Sequence, residues 1–182
     1  MKIKKFKGGF DNNFFYILIS EKAAVVIDCF SAQMALDYLN QYQINLKYII
    51  STHNHFDHIA ANEELAIKTK AKKLLFQTNT CDIPVSDQEI LNFGNSTLKF
   101  IHTPGHTPDS MCVLVNEKCL FTGDTLFVGA LGRIFYEGGE IDQKESLKKI
   151  FNLNPQITIY PGHDYGETET SIIAEQKQIF KF

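Results

Sequence analysis

The stretch STHNHFDHIA (51–60) decides how this chain is read. Three of the six histidines, His53, His55 and His58, fall within six residues, with Asp57 beside the last. They follow the apolar run YII (48–50). The i, i+2 spacing of His53 and His55 does not suit a helix, whose neighbouring side chains stand three and four residues apart. It suits an irregular loop leaving a buried strand, where both rings can face one point. Such loops are where a rigid scaffold presents functional side chains.

Other chemistry-bearing residues repeat this layout. His102 and His106 lie in HTPGHTPDS (102–110), Asp124 in FTGDTLF (121–127), and His163 in YPGHDYG (160–166). Each time an apolar strand ends, a Gly or Pro breaks it, and a His or Asp follows. Imidazole and carboxylate without thiolate match divalent ions that keep a position open for water. His53, His55 and His106 can bind one ion. Asp57, His58 and His163 can bind a second, with Asp124 bridging. Seven candidate ligands exceed the four that a closed structural site needs, and structural sites are typically rich in thiolate. Zinc is the expected ion, and the same set accepts iron or manganese. His102 fits no ligand position and is expected to be structural or to orient a ligand.

Around these loops, strands are expected at 14–19, 23–28, 46–51, 73–76, 97–103, 111–115, 118–124 and 157–162, where short runs rich in β-formers end in turn residues. Helices are expected at 31–42, with Ser31 as cap, at 59–70, at 142–151 and at 168–180. The segment 77–95 reads as a surface excursion. The mixture implies an α/β layered domain with partly antiparallel sheets. The length of 182 residues suits one domain spanning 1–182.

Composition narrows the function. Hydrophobic residues make up 44% and charged residues 21%, ordinary for a globular core. The net charge of −3 and the lack of any basic block beyond KIKKFK (2–7) and KAKK (70–73) argue against a nucleic-acid partner. Both lysine runs read as solvated edges or helix ends. No apolar run approaches the ~20 residues of a membrane span. The N-terminus does not read as a signal peptide. Four scattered cysteines without a C-x-x-C pair read as free thiols of a cytoplasmic protein.

THNHFDH (52–58) resembles the H-x-H-x-D-H signature of the metallo-β-lactamase superfamily, and HTPGHTPDS, GDTLF and YPGHDYG match its later motifs in order. The motif continues as DHIAAN, with Ala61 where the family pattern has Gly. The resemblance implies a four-layer αβ/βα sandwich with the metal site at one edge between two sheets, and the ligand set given above. Within the superfamily, GDTLF followed by GALGRIFYEGG (129–139) and PGHDYGET (161–168) is most similar to the glyoxalase II group, the hydroxyacylglutathione hydrolases. That group binds the glutathione part of a thioester with a basic residue and an aromatic of this loop, and with the Tyr of G-H-[ED]-Y. Here these are Arg133, either Phe135 or Tyr136, and Tyr165. Full-length members carry a helical C-terminal extension with further basic contacts; this chain is expected to lack it and to hold the glutathione tail less tightly.

The expected reaction is hydrolysis of a small-molecule thioester by a hydroxide held on the ions, oriented by Asp57, with Asp124 bridging. A thiolate leaves readily, so no strong general acid is needed, and no G-x-S-x-G elbow is present. Three other readings stand beside it. An iron-dependent persulfide dioxygenase would use His53, His106 and Asp124, but its last motif tends to read P-A-H-D-Y where Gly162 stands here. A lactonase or esterase of the same superfamily is the second. A catalytically silent metal-binding module is the third.

Overall fold

The computed structural model describes residues 1–180. Among them twelve strands form two six-stranded mixed sheets. The first sheet runs β1 (Lys2–Gly8), β2 (Asn13–Ser20), β3 (Ala23–Ile27), β4 (Asn45–Ile50), β5 (Lys72–Phe76) and β6 (Ile83–Val85) in spatial order. The second runs, from its far edge, β7 (Ile90–Phe93), β8 (Ser96–His102), β9 (Met111–Val115), β10 (Cys119–Gly123), β11 (Thr158–Pro161) and β12 (Ser171–Ile172).

Period-two alternation builds the layers. In β2, Phe14, Tyr16 and Leu18 point between the sheets, where they meet Leu98, Phe100, Met111, Val113 and Phe121 of the second sheet. Phe15 and Ile17 point outward, onto Ala32, Ala35 and Leu39 of helix α1 (Ala32–Gln41) and onto Leu65 of a later helix. The second sheet does the same with Ile101, Cys112, Leu114 and Leu120. These pack on Leu147, Ile150 and Phe151 of α4 (Gly139–Phe151) and Ile173 of α5 (Ile173–Ile179). Strands apolar on both faces are therefore covered on both faces, which makes a four-layer αβ/βα sandwich. Burying each Leu, Ile, Val, Met or Phe among them contributes about 1.5–3 kcal/mol. No helix among the described residues is long and apolar enough to cross a membrane.

Several elements differ from the sequence reading. The expected helix 59–70 divides into α2 (Phe56–Ile59) and α3 (Asn62–Thr69), because the Ala61 N–H is drawn to the Cys29 carbonyl at 3.1 Å. Ala61 itself sits at φ −94°, ψ −5°, a conformation that needs no glycine. The supposed excursion 77–95 holds β6 and β7. KIKKFK is the body of edge strand β1. The tail pairs first as β12 and turns helical at Ile173.

Strand direction then sets the active edge. β4 lies parallel to β3, so Asp28 and the 51–58 loop leave at the same end. β2 is antiparallel to β3, so the turn entering it, residues 9–12, lies at that end too. β8 and β10 both flank β9 antiparallel, and β11 runs parallel to β10, so His106, Asp124 and His163 follow strands that exit together. The two sheets are tied at this edge by Met111 N–H donating to Thr52 O at 2.8 Å and Phe14 N–H to Gly162 O at 2.7 Å.

Candidate metal centre

The structure brings all seven candidate ligands together. His53, His55 and His106 offer nitrogens within 4.8 Å of one another; so do Asp57, His58 and His163 with their ligand atoms, and His53, His58 and Asp124 with theirs. His55 Nδ1 stands 3.0 Å from both His53 Nε2 and His106 Nε2. His58 Nε2 stands 3.3 Å from His163 Nε2. Asp124 lies between the two groups: Oδ2 is 3.5 Å from His106 Nε2 and 3.4 Å from His163 Nε2, and Oδ1 is 3.3 Å from His58 Nε2.

The outer nitrogens are held by the protein, which aims the inner ones. His106 Nδ1 donates to Arg133 O at 2.6 Å, and His163 Nδ1 to Asp11 O at 2.9 Å. His58 Nδ1 lies 3.1 Å from Asp28 Oδ2. His53 Nδ1 lies 3.2 Å from Thr52 Oγ1, which donates onward to Asp28 Oδ2 at 2.8 Å. With the His106 and His163 Nδ1 atoms on backbone carbonyls and those of His53 and His58 facing Thr52 and Asp28, the Nε2 atoms of the four rings converge. Asp124 Oδ1 is buried without a hydrogen-bond partner. Crowded imidazole nitrogens and an orphaned carboxylate oxygen are costly unless a cation compensates them. The residues present thus fit divalent ions.

Without an ion the cluster is electrostatically divided. Burial holds His53 well below the ordinary imidazole range, with the neighbouring rings adding to it. Burial would also lower His163, but hydrogen bonds to Asp124 and Asp57 outweigh it and hold it at about 10. At His58, burial is likewise overcome by Asp28 and Asp124, and the ring is shifted upward. Burial works against ionisation of Asp57, yet the bonds from His163 and Asn13 win and keep the carboxylate well below its usual range.

Close backbone approach is needed around Asp124. A Cβ on Gly132 would fall 1.8 Å from Asp124 O, and one on Gly162 would fall 2.4 Å from Asp124 Oδ1 and 2.8 Å from His58 Cε1. Gly123 adopts φ +48° with Thr52 Oγ1 directly above it.

A cavity of about 690 Å³ opens over the cluster. Arg133, Phe135 and Tyr165 all line it. Phe135 meets the rings of His55 and His106 edge-on, and the Arg133 guanidinium lies over Phe135. Tyr165 stacks on His163 and donates to Asp11 Oδ2 at 2.6 Å. Of the two loop aromatics left open by the sequence, Tyr136 bonds Asp142 at 2.7 Å, against the start of α4. His102 lies flat on Phe76 with Nε2 2.9 Å from Pro108 O, a structural place. Sequence reading missed Asp11, Asn13 and Asp28. The only local signal was Asp28, a carboxylate closing an apolar strand, here at φ +55°.

Fold and cluster together define a sandwich protein with a divalent-metal site, suited to two ions, at one edge. The model of the metallo-beta-lactamase superfamily matches residues 8–84 and 77–163, and the chain belongs to that superfamily. It is 38% identical over 175 residues to a protein of Pelagibacter ubique named hydroxyacylglutathione hydrolase, covering 92% of this chain and 73% of that one. A protein of the same name from Francisella tularensis subsp. novicida is 36% identical over 172 residues, covering 91% and 68%. Among solved structures, ETHE1 from Myxococcus xanthus superposes with a TM-score of 0.90 at 29% identity, covering 98% of this chain and 82% of that one.

Proposed function

We propose that the chain is a metal-dependent hydrolase of thioesters of the hydroxyacylglutathione type. The observation that carries this reading is the pair of ligand groups sharing Asp124 beneath a cavity that also holds Arg133. The relatives named hydroxyacylglutathione hydrolase support the substrate class. In this reading His53, His55 and His106 would hold one ion, Asp57, His58 and His163 would hold the other, and Asp124 would serve both. Zinc is the proposed ion, with iron or manganese accepted by the same donors. Bound there, divalent ions supply a water acidic enough to ionise near neutral pH and a Lewis acid for the carbonyl oxygen.

The chain's own residues do the rest. Asp57, kept ionised by Asn13 and His163, accepts a hydrogen bond from the attacking water and orients it. Arg133 attracts the carboxylates of the thiol carrier, and Phe135 and Tyr165 give it flat surfaces. The Tyr165 phenol is raised above its usual range, first by burial and then by Asp11, and stays protonated at neutral pH. Phe10, Phe56, Phe127 and Leu131 keep the remaining wall apolar and shed water. The leaving thiolate needs no proton donor.

We read the chain as one catalytic domain acting in the cytoplasm on a small molecule. Four free cysteines among the described residues support a reducing compartment. Asp57→Ala should abolish most hydrolysis of S-D-lactoylglutathione while the protein stays folded; undiminished turnover would refute the role. The persulfide dioxygenase reading is kept second on the likeness to ETHE1. Gly162 weighs against it, because the last motif of that group tends to carry alanine at this position. Oxygen consumption with glutathione persulfide decides between them.

A further inference from the structure

Asn13 is the first residue of β2, fully buried, and stands beside His163 through an isolated antiparallel bridge. Its Nδ2 donates to Asp57 Oδ2 at 2.9 Å and lies 3.4 Å from His163 Nε2. The same Asp57 oxygen is 3.5 Å from His163 Nε2 and 3.6 Å from His58 Nε2. The amide therefore grips the carboxylate at the oxygen that faces its two partner rings. Meanwhile Asn13 Oδ1 is buried and makes no hydrogen bond. An unsatisfied buried carbonyl is destabilising, and an apolar side chain of the same shape would avoid that cost. Keeping an amide here is accounted for by what its nitrogen does. The backbone approach is fixed as well: Asp11 and Asn12 turn through φ +52° and +59°, which delivers Asp11 O to His163 Nδ1 and Asn13 to Asp57.

We propose that Asn13 is a positioning residue for one half of the centre: its amide sets the Asp57 carboxylate, so occupancy of the Asp57–His58–His163 group depends on it while that of the His53–His55–His106 group does not. The inference rests on the two-ion reading above. Losing an outer partner of a metal ligand typically weakens metal affinity ~10- to 100-fold. A residue that merely supported the fold would weaken both ions alike or neither.

The test is stepwise zinc binding to ion-free protein, followed by calorimetry, for the wild type, Asn13→Ala and the same-shape Asn13→Leu. One ion should bind as in the wild type and the other ~10- to 100-fold more weakly. In an Asp57→Ala background, Asn13→Ala should change nothing further. Two ions bound with wild-type affinity by the variants, or both weakened equally, overturns the role of Asn13 and leaves the proposed function standing. A wild type that binds fewer than two ions overturns both. Should neither variant fold, the Asn13 side-chain amide resonances of the wild type decide. A shift confined to the filling of one ion and shared with the His163 ring supports the inference, and a shift that instead follows the His106 ring, or both ions alike, overturns it.

Discussion

Gly162 shows how closely the centre is packed. Its missing Cβ leaves room for Asp124 Oδ1 and His58 Cε1, so the carboxylate can stand between the two ligand groups. Gly162→Ala is expected to displace Asp124, lowering the metal content per chain and reducing thioester kcat/KM about tenfold or more. Unchanged metal content and kinetics would show that the site tolerates the methyl. His163 gives a second prediction. At about 10 its pKa is raised above the ordinary ~6.5, so the ion-free ring carries a proton at pH 7. That shift stabilises the ion-free fold fully below ~6.5, and the contribution is lost as pH rises through about 10. A bound ion must displace the proton, so zinc binding at pH 7 should release on the order of one proton from this ring. Calorimetry in two buffers of different ionisation enthalpy measures it, and identical heats would contradict the assignment. The seven candidate ligands were legible because His53, His55, Asp57 and His58 crowd one short motif after a buried strand, while His106, Asp124 and His163 each directly follow a glycine. Asp11, Asn13 and Asp28 were not, since an Asp or Asn in a turn has many uses and only the folded edge shows what each one touches.

At the scale of elements, the strands found from sequence were those buried on both faces, such as β2, β3 and β9, whose continuous apolar runs announce themselves. Those missed were edges. β1 carries four lysines and is only half-buried, β6 has three residues, and β7 alternates exposed with covered positions. Edge strands with charge and short length protect a sheet from further pairing, and the same features hide them from pattern reading. The helices behave more simply. Leu147 on α4 is buried in the outer layer, on the far side of the second sheet from the main inter-sheet core. Leu147→Ala should cost about 2–5 kcal/mol in urea unfolding while leaving metal content unchanged. A loss under ~1 kcal/mol would mean the α4 layer packs less tightly than it appears in the fold.

Across the whole molecule, the sandwich is a device for meeting. Residues from 11 to 163 reach one point because the connecting strands all present their functional ends to one edge, and backbone hydrogen bonds between the two halves lock that edge shut. The order of the motifs along the chain was enough to anticipate this architecture, whereas the wall of the cavity was not. Phe10, from the turn before β2, and Phe56, the first residue of α2, pack on each other at its rim although 46 positions apart, a pairing that no local pattern foretells. The most direct measurement is a crystal of the protein grown with zinc and recorded for anomalous scattering. Two peaks per chain are predicted, one among His53, His55 and His106 and one among Asp57, His58 and His163, each within coordination distance of Asp124. Well-ordered side chains with no peak between them, or a single peak that Asp57 does not touch, would contradict the account.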